Sequence, residues 1–307
     1  MNQLHELLEN ARRQLGFSAT YNDDGSLRHS MTKAAAAVSR FSMRKMEVPA
    51  PVAGVNYKTF TPFGTEAGKA TKLPEAVMAA SRVVAAGAHL VMVDAASEAL
   101  PVGGTGEIVL AQRNAGFTCI ESADFSLVPD GTDVSASQLP VYRAQANLDT
   151  MPAYGFRVAL SRAEQKAHKE GELADSALVS IALGVARVAD AVLLSAISAA
   201  TPAAFTLAAA AAQGVEFNEL RAMVGTNGTG AAVSQDGILR VGGIMAELTP
   251  DNATTIVGAF NRAAVAVHED IGLVAERIDT QGNLVLTCWV NAQALLPLPG
   301  AFWSVSA

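Results

Sequence analysis

The stretch from Tyr154 to Ile197 constrains the fold more than any other part of the chain. Phe156, Val158 and Leu160 alternate with other residues at the two-residue period of a strand, and a polar turn follows. From about Glu172 to Ile197 no proline interrupts a run rich in Ala, Leu and Val, which predicts a helix of roughly 39 Å at about 1.5 Å per residue. Leu173, Ala177, Ile181, Val185, Val188 and Val192 recur at spacings of three and four, so this face is expected to pack on a sheet of the same subunit. A helix this long needs a large body to cover it. The chain before it is punctuated by Gly, Asp and Pro and holds too few large apolar residues for a core of its own. The segments after it read as more Ala-rich helix and then strands.

Composition fits a subunit that completes itself against copies of itself. Charged residues make up 17% of the 307 positions and apolar residues 50%, with a mean hydropathy of +0.25. Interface cores are depleted in charge, so extensive self-association explains the deficit. A large-cored, Ala-rich cytoplasmic enzyme with a site built from dispersed residues explains it too. A membrane span is not expected. Residues 191–215 carry no charge, but Pro202 interrupts them and Ala, Ser and Thr dominate. The N-terminal MNQLHELLENARRQLG mixes acids with bases and lacks an apolar core, so residues 2–16 read as an amphipathic helix and not as a signal peptide.

Charge is unevenly placed. From residue 171 onward there are 12 acids and 5 bases, leaving 17 of the 29 acids and 17 of the 22 bases in residues 1–170. Residues 27–46 contain Arg28, Lys33, Arg40, Arg44 and Lys45 and no acid, a basic arm suited to nucleic acid or to an acidic neighbouring subunit. It equally fits a solvated face. No aromatic residues interleave with these bases as stacking would require, so sequence-specific nucleic-acid reading is not expected.

The rest of the chain reads coarsely. Residues 17–71 are arm or loop; Leu73–Val93 is expected to be helical, opened by Pro74 and broken near Gly87. Residues 107–161 are strands around a long excursion with its tip at Pro129-Asp130-Gly131. Ala203–Ala212 is expected as a second helix, and strands at 238–241, 244–248, 256–260, 263–268, 273–278, 284–290 and 302–305.

Chemistry-bearing motifs are few. Gly225-Thr-Asn-Gly228-Thr-Gly230 has G-x-x-G-x-G spacing with no Lys-Ser or Lys-Thr after it, so a turn is expected instead of a phosphate cradle. The loop PVGGTG at 101–106 fails the same tests. His5, His29, His89, His168 and His268 are scattered and form no ligand set, and Cys119 and Cys288 have no CxxC neighbour. Two distant thiols fit a reducing compartment and small buried side chains. No catalytic residue, cofactor or metal is expected.

The order of elements over roughly residues 107–307 resembles the major capsid proteins of tailed bacteriophages, the Hong Kong 97-type shell fold. Phe156–Arg162 (FRVALSR) is similar to the strand and Ser-Arg entry before that family's spine helix, and Ala174–Ile197, ending in ARVADAVLLSAI, to the spine. Arg240–Pro250 (RVGGIMAELTP) resembles a Gly-containing turn before an axial-domain strand, and Ala301-Phe302 the Ala-Phe common near the C-terminus. The resemblance implies an α+β fold. Its parts would be an N-terminal arm (1–71), the start of a peripheral domain (72–112), an extended β-hairpin loop (113–155), the spine (156–200), an axial domain (201–255) and strands returning to the peripheral domain (256–307). It implies a structural subunit, not an enzyme, that forms hexamers and pentamers of an icosahedral shell around double-stranded DNA. Portal and scaffolding proteins, non-specifically bound DNA and a decoration protein would be partners. The place would be the virion, after assembly in the bacterial host cytoplasm. Inter-subunit contacts are expected at Arg40, Arg44 and Lys45 on the basic arm, and at Arg113, Asp124, Asp130, Asp133 and Arg143 on the extended loop, which is read as holding little apolar mass. No Lys lies between Lys72 and Lys166, so the Lys–Asn cross-link of some family members is not expected. A chain starting at Met1 argues against a cleaved N-terminal segment. Encapsulin nanocompartments share the fold in kind, although their N-terminal pattern is not found, and a non-viral shell is the nearest alternative.

Overall fold

A computed structural model describes residues 4, 7, 8, 37–49, 70–94, 97–101, 108–112, 115–167, 172–277 and 283–305. The chain is α+β. The long helix spans Glu172–Ala199, with Glu172 and Asp175 in its first turn, where acids favour the positive end of the helix dipole. It ends where Thr201 adopts a left-handed φ of 48° and Pro202 denies the next backbone donor.

The helix lies on a six-stranded sheet. Leu284–Leu295 is its central strand, flanked by Asp270–Arg277 and Ala153–Leu160 and joined further along to Ala264–His268. Ala37–Ser42 closes one edge antiparallel to Asp270–Arg277, and His89–Val93 closes the other, parallel to Ala264–His268. Ile181 and Val185 are buried in the expected face, Leu173 and Val192 nearly so, and Ala177 and Val188 half so. Leu178, Ala182, Ala189, Leu193 and Leu194 are buried too, because the helix Leu73–Ala80 covers a further side. Burial on more than one side is why the sequence is so apolar. By length and composition this helix could cross a membrane, yet 61% of its most apolar window is buried inside the fold.

A second six-stranded sheet runs Ala231–Val233, Leu239–Val241, Ile244–Leu248, Leu220–Val224, Thr255–Ala259 and Phe302–Val305. Gly242 and Gly243, both at positive φ (56° and 86°), make the two-residue turn between its second and third strands. Gly258 lets Phe302 cross the sheet, since a Cβ there would lie 2.3 Å from the Phe302 ring. Phe302 in turn packs edge-on against the buried Phe260, with ring centroids 5.4 Å apart.

Several elements differ from the sequence reading. His89–Val93 is a strand, not the end of a helix: Gly87, at φ 114°, reverses the chain after Arg82–Ala85 and the apolar run enters the sheet. Residues 203–206 are extended and the helix is only Leu207–Ala212, because Ala204 bridges to Ser304. Leu220–Val224 and Ala231–Val233 are additional strands. Ala37–Ser42 lies within the stretch read as arm, yet it is a sheet strand, and Met43, Met46 and Val48 after it are buried in the main core. Of the helix expected at 2–16, Leu4, Leu7 and Leu8 are helical and buried; its other residues, like most of the PVGGTG loop, lie outside the described residues.

A projecting hairpin as the candidate interaction site

Gly116–Ile120 and Val141–Gln145 pair antiparallel and form the stem of the extended loop. Phe117 and Ala144 at its root pack against a small cluster of Val93, Ala146, Met151, Ala264, Ala266 and Leu295, and Phe117 lies 5.2 Å from the His89 ring. Beyond the stem the chain leaves regular structure, and all of residues 122–139 are exposed. Pro129-Asp130-Gly131 forms the turn as expected, with Gly131 at φ 81° and Thr132 bonded back to the Pro129 carbonyl.

The expectation of little apolar mass is wrong here. Phe125 is 94% and Leu127 95% exposed, and Ile120, Val134 and Leu139 are exposed beside them. Asp124, Asp130 and Asp133 accompany them, with no Lys or Arg between residues 121 and 142. An isolated two-stranded ribbon is marginal in water, and a projection tipped with Phe and Leu exposes what a free monomer would bury.

Arg262 fastens the root. Its guanidinium donates to Glu121 at 2.8 Å, to Glu219 at 2.9 Å and to the Gly214 carbonyl at 3.0 Å, so one side chain joins the hairpin to the segment before the second sheet. Burial pushes the Glu219 carboxyl up, but donors from Asn261, the Glu216 N–H and Arg262 outweigh it and hold it below its ordinary value. A polar cleft of about 700 Å³ opens beside the clamp. Arg262→Ala is expected to cost about 1–2 kcal/mol, discounted for the partial exposure of its partners, and to speed amide exchange across 116–145. Hydrogen-exchange mass spectrometry checks this; unchanged hairpin protection would contradict the clamp. Sequence reading could not find Arg262, which carries no motif.

A second organising group is Asp190 on the long helix, one acid in an apolar run. Its buried carboxylate accepts from Ser81 Oγ at 2.6 Å, Arg82 N at 3.1 Å and Val83 N at 3.1 Å, capping the short helix Arg82–Ala85. Burial raises its pKa, against these three hydrogen bonds. A folded pKa above the unfolded one gives a stabilising contribution that is complete below the unfolded value, about 3.9, and is lost as pH rises through the folded one. Asp190→Asn removes this titration, so wild type should lose stability relative to it as pH rises above the unfolded value. Asp190→Ala strands three buried donors and should cost about 3 kcal/mol. Urea denaturation at and above that pH measures both.

The expected contact residues are dispersed. Asp124, Asp130 and Asp133 stand on the exposed tip, and Arg143 is exposed on the stem opposite Thr118. Arg40 is exposed on the edge strand opposite Gly272, and Lys45 is exposed in the turn of 3-10 helix that follows. Arg44 pairs with Glu269 of its own chain at 3.2 Å, and Glu269 also accepts from Ser42. Arg113 lies outside the described residues. Cys119 is half-buried at the clamp and Cys288 is buried in the sheet, its thiol pushed up to about 12 by burial. In the Gly225–Gly230 loop three successive backbone donors are already used: Thr226 N bonds Asn252 O, Asn227 N bonds Ala253 O, and Gly228 N bonds Gly225 O. A Cβ on Gly225 would lie 2.4 Å from the Thr254 carbonyl, so its glycine serves close backbone approach and not a phosphate. Among the described residues no group of three or more His, Cys, Asp or Glu could hold a metal.

No family model and no curated protein matches the chain. Among solved structures, a chain of the satellite phage P4 procapsid including the size determination (Sid) protein aligns with 76% of this chain and 97% of its own, at 12% identity and a TM-score of 0.44. A chain of the capsid of a native GTA particle aligns with 71% of this chain and 88% of its own, at 10% identity and a TM-score of 0.42. A Mycobacterium phage Che8 chain aligns over 63% of this chain and 84% of its own, at 10% identity and a TM-score of 0.42.

Proposed function

We propose that the chain is a structural shell subunit of the Hong Kong 97 type, a tailed-phage major capsid protein that self-assembles around double-stranded DNA. The observation that carries the reading is the projecting hairpin: eighteen consecutive exposed residues, 122–139, that carry Phe125 and Leu127 almost fully in solvent. A neighbour that covers the tip removes apolar surface from water and holds the ribbon straight. The order hairpin, long helix on a sheet, second sheet and final strand supports it, as does the low charge content.

On this reading hexamers and pentamers close the shell, and portal, scaffolding and decoration proteins are the other contacts. DNA is held without sequence preference, and assembly takes place in the host cytoplasm. Arg40, Lys45, Asp124, Asp130, Asp133 and Arg143 are exposed and available to neighbouring subunits; Arg113 joins them as a proposed contact, and Arg44 would reach a neighbour only by sharing or leaving Glu269. Light scattering against protein concentration, with the cognate scaffold supplied where it is needed, tests the proposal. A threshold followed by particles of one size is expected, and a monodisperse monomer or dimer at every concentration would overturn it.

A further inference from the structure

Trp289 lies on the face of the first six-stranded sheet that is turned away from the long helix. Its strand neighbours Cys288 and Val290 are buried on the helix side, so alternation sends the indole outward, where it is 42% exposed. The residues paired with it on both flanking strands are glycines, Gly155 on one side and Gly272 on the other. A Cβ at Gly155 would come within 2.7 Å of the indole Cδ1 and 3.1 Å of Nε1, and one at Gly272 within 3.5 Å of Cε3. The indole therefore lies flat across three strands, its pyrrole edge toward Gly155 and its benzene ring toward Gly272. One π face rests on the sheet and the other meets solvent. Glycine weakens a strand interior, and two of them in one row mark a place kept clear for close approach.

Polar groups of both signs surround this platform on the same face. Arg157 and Thr287 occupy the next row and Glu276 the one after; Arg157 and Glu276, 60% and 38% exposed, pair loosely at 3.8 Å. Arg40 stands opposite Gly272 in the platform's own row, and Asn291 lies two residues along the strand from Trp289. A polyanion would meet Glu276, and a polycation would meet Arg40 and Arg157. The set complements a neutral ligand that both donates and accepts hydrogen bonds and has one flat apolar face. A pyranose ring has these properties: its C–H groups sit on the negative π face of the indole, while its hydroxyls donate to a carboxylate and accept from a guanidinium. We propose that Trp289 is the platform of a glycan-binding site, taking a ring of a neutral hexose chain with Arg157 and Glu276 on its hydroxyls. The site needs only a folded subunit, so it stands or falls apart from the shell reading.

Trp289 and Trp303 are the chain's two tryptophans, and Trp303 is buried, so acrylamide quenching of the native protein reports on Trp289. The probes are soluble hexaoses of glucose, mannose and N-acetylglucosamine. At least one should shield the fluorescence and saturate, with a Kd of about 1 mM for one ring on one platform. Calorimetric titration of the same hexaose should show no binding to Trp289→Ala. Arg157→Ala and Glu276→Ala change exposed side chains, so each should melt within about 2 °C of wild type. Each should nevertheless weaken binding by about fivefold or more, a readout that does not depend on how Trp289→Ala folds. Heparin and single-stranded oligo(dT) are the charged controls and should leave the fluorescence unchanged. Three hexaoses without saturable binding, or undiminished binding to Trp289→Ala, would overturn the site. Shielding by oligo(dT) or heparin would make it a polyanion surface instead. Trp289 already shielded in sugar-free assembled particles would mean that another copy covers the face, and would overturn the proposal while leaving the shell reading intact.

Discussion

A Leu194→Asp subunit is expected to lose cooperative folding. Leu194 is fully buried on the long helix, which packs against the central strand, Leu73–Ala80 and Arg82–Ala85. A carboxylate there must be buried without a partner or protonated at a cost, and unpaired buried charges cost about 3–5 kcal/mol. Against a typical total of about 5–15 kcal/mol, the loss approaches the stability of the whole domain. Leu194→Met keeps volume and polarity and should cost less than about 1.5 kcal/mol. Circular dichroism with urea denaturation separates the two. A sharp, wild-type-like transition in Leu194→Asp would mean that this side of the helix is not in the core.

Removing the tip is expected to do the reverse: leave the fold and abolish assembly. Every residue from 122 to 139 is exposed, so joining Glu121 to Pro140 through two glycines removes no core side chain. The Arg262–Glu121 contact and the Phe117 packing at the root remain. The melting temperature should therefore stay within a few degrees of wild type, because exposed-surface changes rarely exceed about 0.5 kcal/mol. Assembly should vanish, because the surface that a neighbour must cover has gone. Calorimetry and light scattering on the same sample report the two halves. Normal particles from the truncated chain would remove the hairpin from the assembly mechanism.

How far the sequence was legible follows physical range. The Phe156–Leu160 alternation and the proline-free helix are local: the helix emerges nearly to the residue as Glu172–Ala199, and the strand ends where expected but begins three residues earlier, as Ala153–Leu160. The hairpin was legible as an excursion with a Pro-Asp-Gly tip, but its apolar cargo was overlooked because Phe125 and Leu127 are spaced among small polar residues. His89–Val93 was misread because a short apolar run fits a buried strand or a helix equally, and the parallel pairing with Ala264–His268 lies far along the chain. Asp190 was visible as an acid in an apolar helix, whereas its partners Ser81, Arg82 and Val83 were not, being over a hundred residues away. Arg262, Glu121 and Glu219 meet only through tertiary structure, and no spacing rule brings them together.

Cryo-electron microscopy of the purified, concentrated protein, with its scaffold present if one is required, tests the central claim most directly. The account predicts closed particles of uniform size, built of rings of this subunit, in which residues 122–139 of each copy lie across another copy and no longer face solvent. Fields of single subunits or small open oligomers, with the hairpin tip still in water, would contradict it.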